Sequence, residues 1–240
     1  MESYQREQTG SELQSDFMTP VAELGTDARA AFIVRTYLHL FGAIVGFVAI
    51  EVFLFKMGFA YPMARAMLGV NWLLVLGGFV VVSWFASRAA HRAASPGSQY
   101  GALALFVVAE AIIFVPLLAV AEDSAGGGVI ASAAIITLIG FGALTGIVYT
   151  SRKDFSFLGG IVKWGLGIAL LAIVGGAIFG FQLGTFFSVA MIGLAGAAIL
   201  YDTSKVLYSY PADRHVGAAL ELFASVALMF WYVLSLLSRR

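Results

Sequence analysis

Four acids stand inside otherwise apolar runs of this chain: Glu51, Glu110, Asp202 and Glu221. Lys163 and His39 are the other ionisable groups in such runs. If those runs cross a bilayer, an isolated charge costs about 3 kcal/mol or more. Such residues therefore face the bundle interior, find a partner and mark proton or ion paths. Carboxyls in that setting can share protons or attract a hard cation such as Ca²⁺, which prefers oxygen ligands. The first question is what elements would bring them together.

The surrounding chain answers in terms of membrane helices. It is 60% hydrophobic and 12% charged over 240 residues, with a mean hydropathy of +0.92. Soluble domains average about 25% charged residues. Apolar runs of about 20 residues suffice to span as helices. Seven candidate spans follow at 30–56, 69–87, 100–121, 129–150, 158–180, 183–208 and 216–237. The runs are continuous rather than alternating, which excludes a barrel. The fold class is thus an all-α integral membrane protein: a polar tail over 1–28 and a seven-helix domain over 29–240. The stretch "EDSAGGG" at 122–128 reads as an exposed turn. Glycines at four-residue spacing, Gly42/Gly46, Gly142/Gly146 and Gly176/Gly180, read as helix-packing sites.

Arg6, Arg29, Arg35, Arg88, Arg92, Arg152, Lys153, Lys205 and Arg214 fall on one side of the spans. Lys56, Arg65, Arg239 and Arg240 fall on the other. The positive-inside rule places the first side, with the N-terminus, in the cytoplasm. The first residues lack the basic start, apolar core and cleavage site of a secretory signal. Zero net charge provides no basic face for a nucleic acid. The absence of cysteine excludes disulfides and thiolate chemistry.

Depth separates the candidates. Glu51, near the outer end of the first span, is expected to reach the headgroups. Lys163 has a stem long enough to snorkel to the inner surface. His39 reads as a satisfied interior histidine, and with no second ligand at a suitable spacing no metal is assigned. Glu110 lies near mid-span with Pro116 two turns later; Glu51 and Glu110 are candidates for an ion pathway. Spans six and seven form a hairpin about a turn near residue 212. Asp202 and the stretch from Glu221 to Ser225 lie about ten residues to either side, roughly 10–15 Å from the turn at 1.5 Å per residue. Asp202 is therefore expected to meet a carboxyl or hydroxyl across the pair. Two carboxyls there cannot both ionise cheaply. Asp202 and Glu221 would share a proton, with Ser225 as a bridge.

Two stretches carry a resemblance: "YTSRKDFSFLGG" at 149–160 and "AILYDTSKVLY" at 197–207, followed by an aromatic, Leu-rich terminal helix. The combination resembles the Bax inhibitor-1 (transmembrane Bax inhibitor motif) family. The resemblance implies six helices around a central C-terminal helix. It also implies a pH-sensitive calcium leak gated by a pair of aspartates on the last two helices. Asp202 matches the first aspartate. The position of the second holds Ser225, in "LELFASVAL", and that of a following asparagine holds Leu228. Serine at this point is similar to bacterial members that look like modulators of the membrane protease FtsH.

The expected function is a pH-sensitive calcium or cation leak, with Ca²⁺ held transiently near Asp202. The alternative is a non-conducting partner of a membrane protease such as FtsH. No cofactor is expected. The partners are the lipid bilayer, Ca²⁺ or protons, and that protease. The resemblance places the chain in a bacterial inner membrane. An enzyme is not expected: the "YD" of intramembrane aspartyl proteases requires a second aspartate in a Gly-x-Gly-Asp setting, and no such sequence occurs.

Overall fold

The computed structural model describes residues 19–92, 95–125 and 128–239. The first part of the predicted tail, residues 1–18, lies outside the described residues. Eight α-helices follow a short 3-10 turn at Val21–Glu23: α1 (Thr26–Lys56), α2 (Ala60–Leu68), α3 (Trp72–Arg92), α4 (Pro96–Ala125), α5 (Gly128–Ser151), α6 (Leu158–Phe179), α7 (Gly184–Tyr208) and α8 (His215–Leu237). All but α2 are long and apolar enough to cross a membrane. The protein is an all-helical, multi-span membrane protein.

Two described elements were not anticipated, the 3-10 turn within the predicted tail and α2. The nine residues of α2, AYPMARAML, bury Ala60 and Ala64 against a small cluster with Val115 and Ala119 of α4. Nine residues rise only about 14 Å, too short to span. The 122–128 stretch also differs from expectation, since α4 continues through residues 122–125 as its last turn.

α8 sits at the centre, packed against α1, α3, α4, α5 and α7. α6 is outermost and packs chiefly on α7. Its Ala169 shares a small core cluster with Met191 of α7 and Tyr232 of α8. Rings knit the centre together: Phe47 of α1 meets Phe114 of α4 at 5.2 Å and Phe223 of α8 at 6.2 Å. Phe114 in turn stacks on Phe230 at 5.5 Å and meets Trp231 edge-on at 4.9 Å. Such pairs add about 0.5–1.5 kcal/mol each beyond area burial. Elsewhere, large side chains such as Leu74, Trp164, Leu171 and Phe186 point outward, as lipid-facing residues do.

Of the glycine pairs, only Gly46 has a neighbouring helix near the place of a Cβ: Val107 at 3.7 Å. Gly42, Gly142 and Gly146 have open space there. Gly180 caps α6 with φ +76°. The close approaches lie instead at Gly159, where a Cβ would stand 2.6 Å from the Tyr201 ring, and at Gly165, 2.6 Å from Leu194. Four-residue spacing marked helical faces but not which face meets a neighbour.

Candidate functional site

One end of the bundle carries the N-terminus of α1, the end of α3, the 152–157 and 209–214 connections and most of the basic residues. It is called the basic end below. There α7 arrives and α8 departs, so their polar residues meet in layers. In the deeper layer Asp202, 7% exposed, accepts a hydrogen bond from the Ser225 hydroxyl at 2.6 Å. One turn nearer the end, the Lys205 ammonium donates to Glu221. Lys205 also lies 5.2 Å from the centroid of Tyr201 and 4.9 Å from that of Tyr210, within cation–π range.

Tyr210, in the turn between the helices, is 4% exposed. Burial, then the neighbouring Glu221, Asp202 and Tyr201, push its phenol well above the usual tyrosine range. Asp202, Ser225, Lys205, Glu221, Tyr201 and Tyr210 thus form one polar unit. Its arrangement keeps Tyr210 a neutral hydrogen-bond donor.

The two sequence motifs interlock beside this unit. Ser204 of α7 donates to Asp154 at 2.9 Å and accepts the Phe155 amide at 2.9 Å. Asp154 also accepts from the Ser156 amide at 2.9 Å and from its hydroxyl. The Ser156 hydroxyl and amide, then Ser204, hold the Asp154 carboxyl below the usual carboxylate range. The Tyr208 hydroxyl donates to the carbonyl of Arg152 at 3.1 Å. Arg152 turns the chain off α5 with a left-handed φ of 52°, a conformation uncommon for a side-chain-bearing residue. Gly159 then lets α6 approach the Tyr201 ring.

The other candidates lie elsewhere. Glu51 does not reach the headgroups: it is 7% exposed, and neither carboxyl oxygen has a hydrogen-bond partner among the described residues. α1 buries the stripe Phe32, Thr36, Leu40, Ala43, Phe47 and Glu51, so helical phase overrides nearness to the surface. Glu110 is equally enclosed at 7%, on the face of α4 that carries Phe106 and Phe114. Lys163 is exposed, as a snorkelling residue requires.

His39 donates from Nδ1 to the Arg35 carbonyl at 2.6 Å and accepts at Nε2 from Tyr100 at 3.1 Å. It is a satisfied histidine. His215 lies 5.0 Å away, ring to ring, a neighbour that 175 intervening positions concealed. Among the described residues no group of three His, Cys, Asp or Glu side chains is placed to hold a metal.

Lys205, Tyr201, Tyr210 and Ser204 are the site residues that sequence reasoning missed. The signal for Lys205 was present. Counting from the turn that pairs Asp202 with Ser225 also pairs residue 205 with residue 221.

The chain has relatives among known proteins. The chain is 33% identical over 116 residues to the protein named modulator of FtsH protease YccA from Escherichia coli K12, covering 48% of this chain and 52% of that protein. The same values hold for the inner membrane protein YccA of another E. coli strain. An uncharacterized protein of Pseudomonas aeruginosa is 33% identical over 108 residues, covering 44% of this chain and 47% of that one. The chain thus spans about half the length of the curated relatives it matches. The family model described as "inhibitor of apoptosis-promoting Bax1" matches residues 29–240, the whole helical bundle from the first turn of α1 onward. This chain belongs to the Bax inhibitor family.

Proposed function

We propose that this protein is a multi-span interaction protein that modulates a membrane protease of the FtsH type, without catalysing a reaction itself. The basic end faces the cytoplasm, as the positive-inside rule requires, in a bacterial inner membrane. The observation that carries the reading is the pairing in the polar unit. The residue standing where the family resemblance expects a second aspartate is Ser225, and it donates to Asp202, while Glu221 is matched by Lys205. With an ammonium on one carboxylate and a neutral hydroxyl on the other, the unit carries at most one net negative charge, half of what two unmatched aspartates would offer calcium. Two related proteins carry the YccA name, one as a modulator of FtsH and one as an inner membrane protein.

The test is co-expression with the protease. Site-specific crosslinkers at the basic end should recover it. Membranes lacking this protein should degrade a protease substrate at a rate changed several-fold. No crosslink and an unchanged rate would overturn the reading.

A second reading, the pH-sensitive cation leak, draws on Glu51. Its buried carboxyl with no partner among the described residues and the equally buried Glu110 would form the outer part of a path to Asp202 and Glu221. Calcium flux into liposomes containing the protein alone, abolished by Asp202→Asn, would favour it. Flux no greater than in empty liposomes from pH 5 to 8 would remove it.

A further inference from the structure

The central helix begins inside the bundle. Val216 is 1% exposed, and Gly217 is buried beside it. Arg214, at the N-cap, makes no side-chain capping bond. The first amide of α8 with an acceptor is that of Ala218, which donates to the Arg214 carbonyl at 2.9 Å. The amides of His215, Val216 and Gly217 have no acceptor among the described residues. α1 also starts without a side-chain cap, but its first residues, 26–28, are exposed. Buried N–H groups are seldom left in this condition.

The side chains at the same level are also short of partners. Gln99 is 4% exposed, and its Oε1 has no hydrogen bond among the described residues. α4 and α8 both rise from the basic end, and Phe106 meets Phe223 at 6.1 Å. Two turns back on each helix stand Gln99 and Val216, so the Gln99 amide is turned toward the start of α8. Half a rotation of that amide presents its NH2 instead. The His215 Nδ1 is likewise buried without a partner among the described residues. Arg35 of α1 faces the His215 ring and has no carboxylate at ion-pair distance among the described residues. His39 faces it too, with its ring nitrogens engaged by the Arg35 carbonyl and Tyr100. The acid facing this ring is Asp213. One of its oxygens meets Arg214 at 3.2 Å; the other reaches no donor among the described residues, so Asp213 does not cap the helix.

We propose that the start of α8, with Arg35, His215 and Gln99, is a binding site for a phosphate group. Unmatched amides at a helix N-terminus aim their hydrogens and the positive end of the helix dipole at an anion. Arg35 adds a full charge and a fork of donors that matches phosphate oxygens. One water accepts only about two hydrogen bonds, too few for three amides and two side chains. The group can come from an anionic phospholipid of the leaflet at the basic end or from solution as free phosphate. The site is independent of the protease reading, since it requires no protein partner.

Two measurements on the full chain separate the sources. Binding of radiolabelled phosphate in phosphatidylcholine nanodiscs reads the free form. Retention of phosphatidylglycerol over phosphatidylcholine in native mass spectrometry reads the lipid form. Saturable binding is expected in at least one. Arg35→Gln should weaken it about tenfold. Asp213→Asn removes the opposing charge and should strengthen it several-fold, a gain that damage to the fold does not produce. Should Arg35→Gln fail to fold, Asp213→Asn decides alone. Saturable binding in neither measurement overturns the proposal. Binding that both variants leave unchanged also overturns it, because the phosphate then lies elsewhere.

Discussion

The bundle buries acids in two places and treats them differently. Between α7 and α8, Asp202 and Glu221 each have a donor, Ser225 and Lys205, with Tyr201 and Tyr210 closing over the ammonium. On α1 and α4, Glu51 and Glu110 are as deeply buried as Asp202, yet Glu51 receives no hydrogen bond among the described residues. Enclosure alone therefore does not define a site here. The first pair of acids belongs to a network built from complementary residues on adjacent helices. The second lies on helix faces that carry phenylalanines one turn to either side, Phe47 and Phe55 about Glu51 and Phe106 and Phe114 about Glu110.

Substitutions can break this contrast. Lys205→Met takes the ammonium from the Glu221 carboxylate, which keeps its Tyr210 neighbour but sits in a partly buried site, and the expected loss is about 3 kcal/mol, read from unfolding in mixed micelles. Lys205→Met/Glu221→Leu should recover most of it, because removing both charges also removes their desolvation. A single-variant cost no larger than that of a surface pair would dissolve the distinction between the regions. Ser225→Ala withdraws a donor from Asp202 and should cost about 2 kcal/mol in the same measurement.

Glu51→Gln sharpens the other side. With no bond among the described residues to lose, the change should stay within about 1 kcal/mol of neutral, and Glu51→Leu should be neutral or stabilising. A loss matching that of Ser225→Ala would mean that Glu51 has a partner of comparable worth. The smallest effect is expected at Asp154, at the rim of the network. Its carboxyl is held below the usual range, so the ionised form is favoured in the folded state. The associated stability is present above the ordinary carboxylate range and fades as pH falls through the lowered value. Asp154→Asn should lower thermal stability slightly near pH 7 and flatten its fall between about pH 5 and pH 3, so that the variant and the wild type converge at the acid end.

Much of this organisation was legible in the sequence. Continuous apolar runs located the seven spanning helices to within a few residues, because hydrocarbon solvent leaves few alternatives. The meeting of Asp202 with Ser225 followed from counting outward from the 209–214 turn, since rise per residue fixes depth. The proton-sharing pair of Asp202 and Glu221 rested on the same count without its next line: Lys205, one turn from Asp202, lies at the level of Glu221 and accounts for it. What no count supplies is azimuth between distant helices. The enclosure of Glu51, the approach of His215 to His39 and the tight passage of Tyr201 over Gly159 each depend on rotations that a linear string does not carry. α2 went unseen because nine residues at an interface have too short a stripe to announce themselves.

The placement of α8 bears on how the molecule is made. The segment around which the others gather follows the other six spanning helices in the chain, so those six leave the ribosome before their common axis exists. Until then Asp202 has no Ser225 to meet, and Lys205 sits without its acid. The bundle's axis is therefore inserted among helices already made, and a chain stalled before residue 215 would present those groups to lipid, a conspicuous signal for quality control.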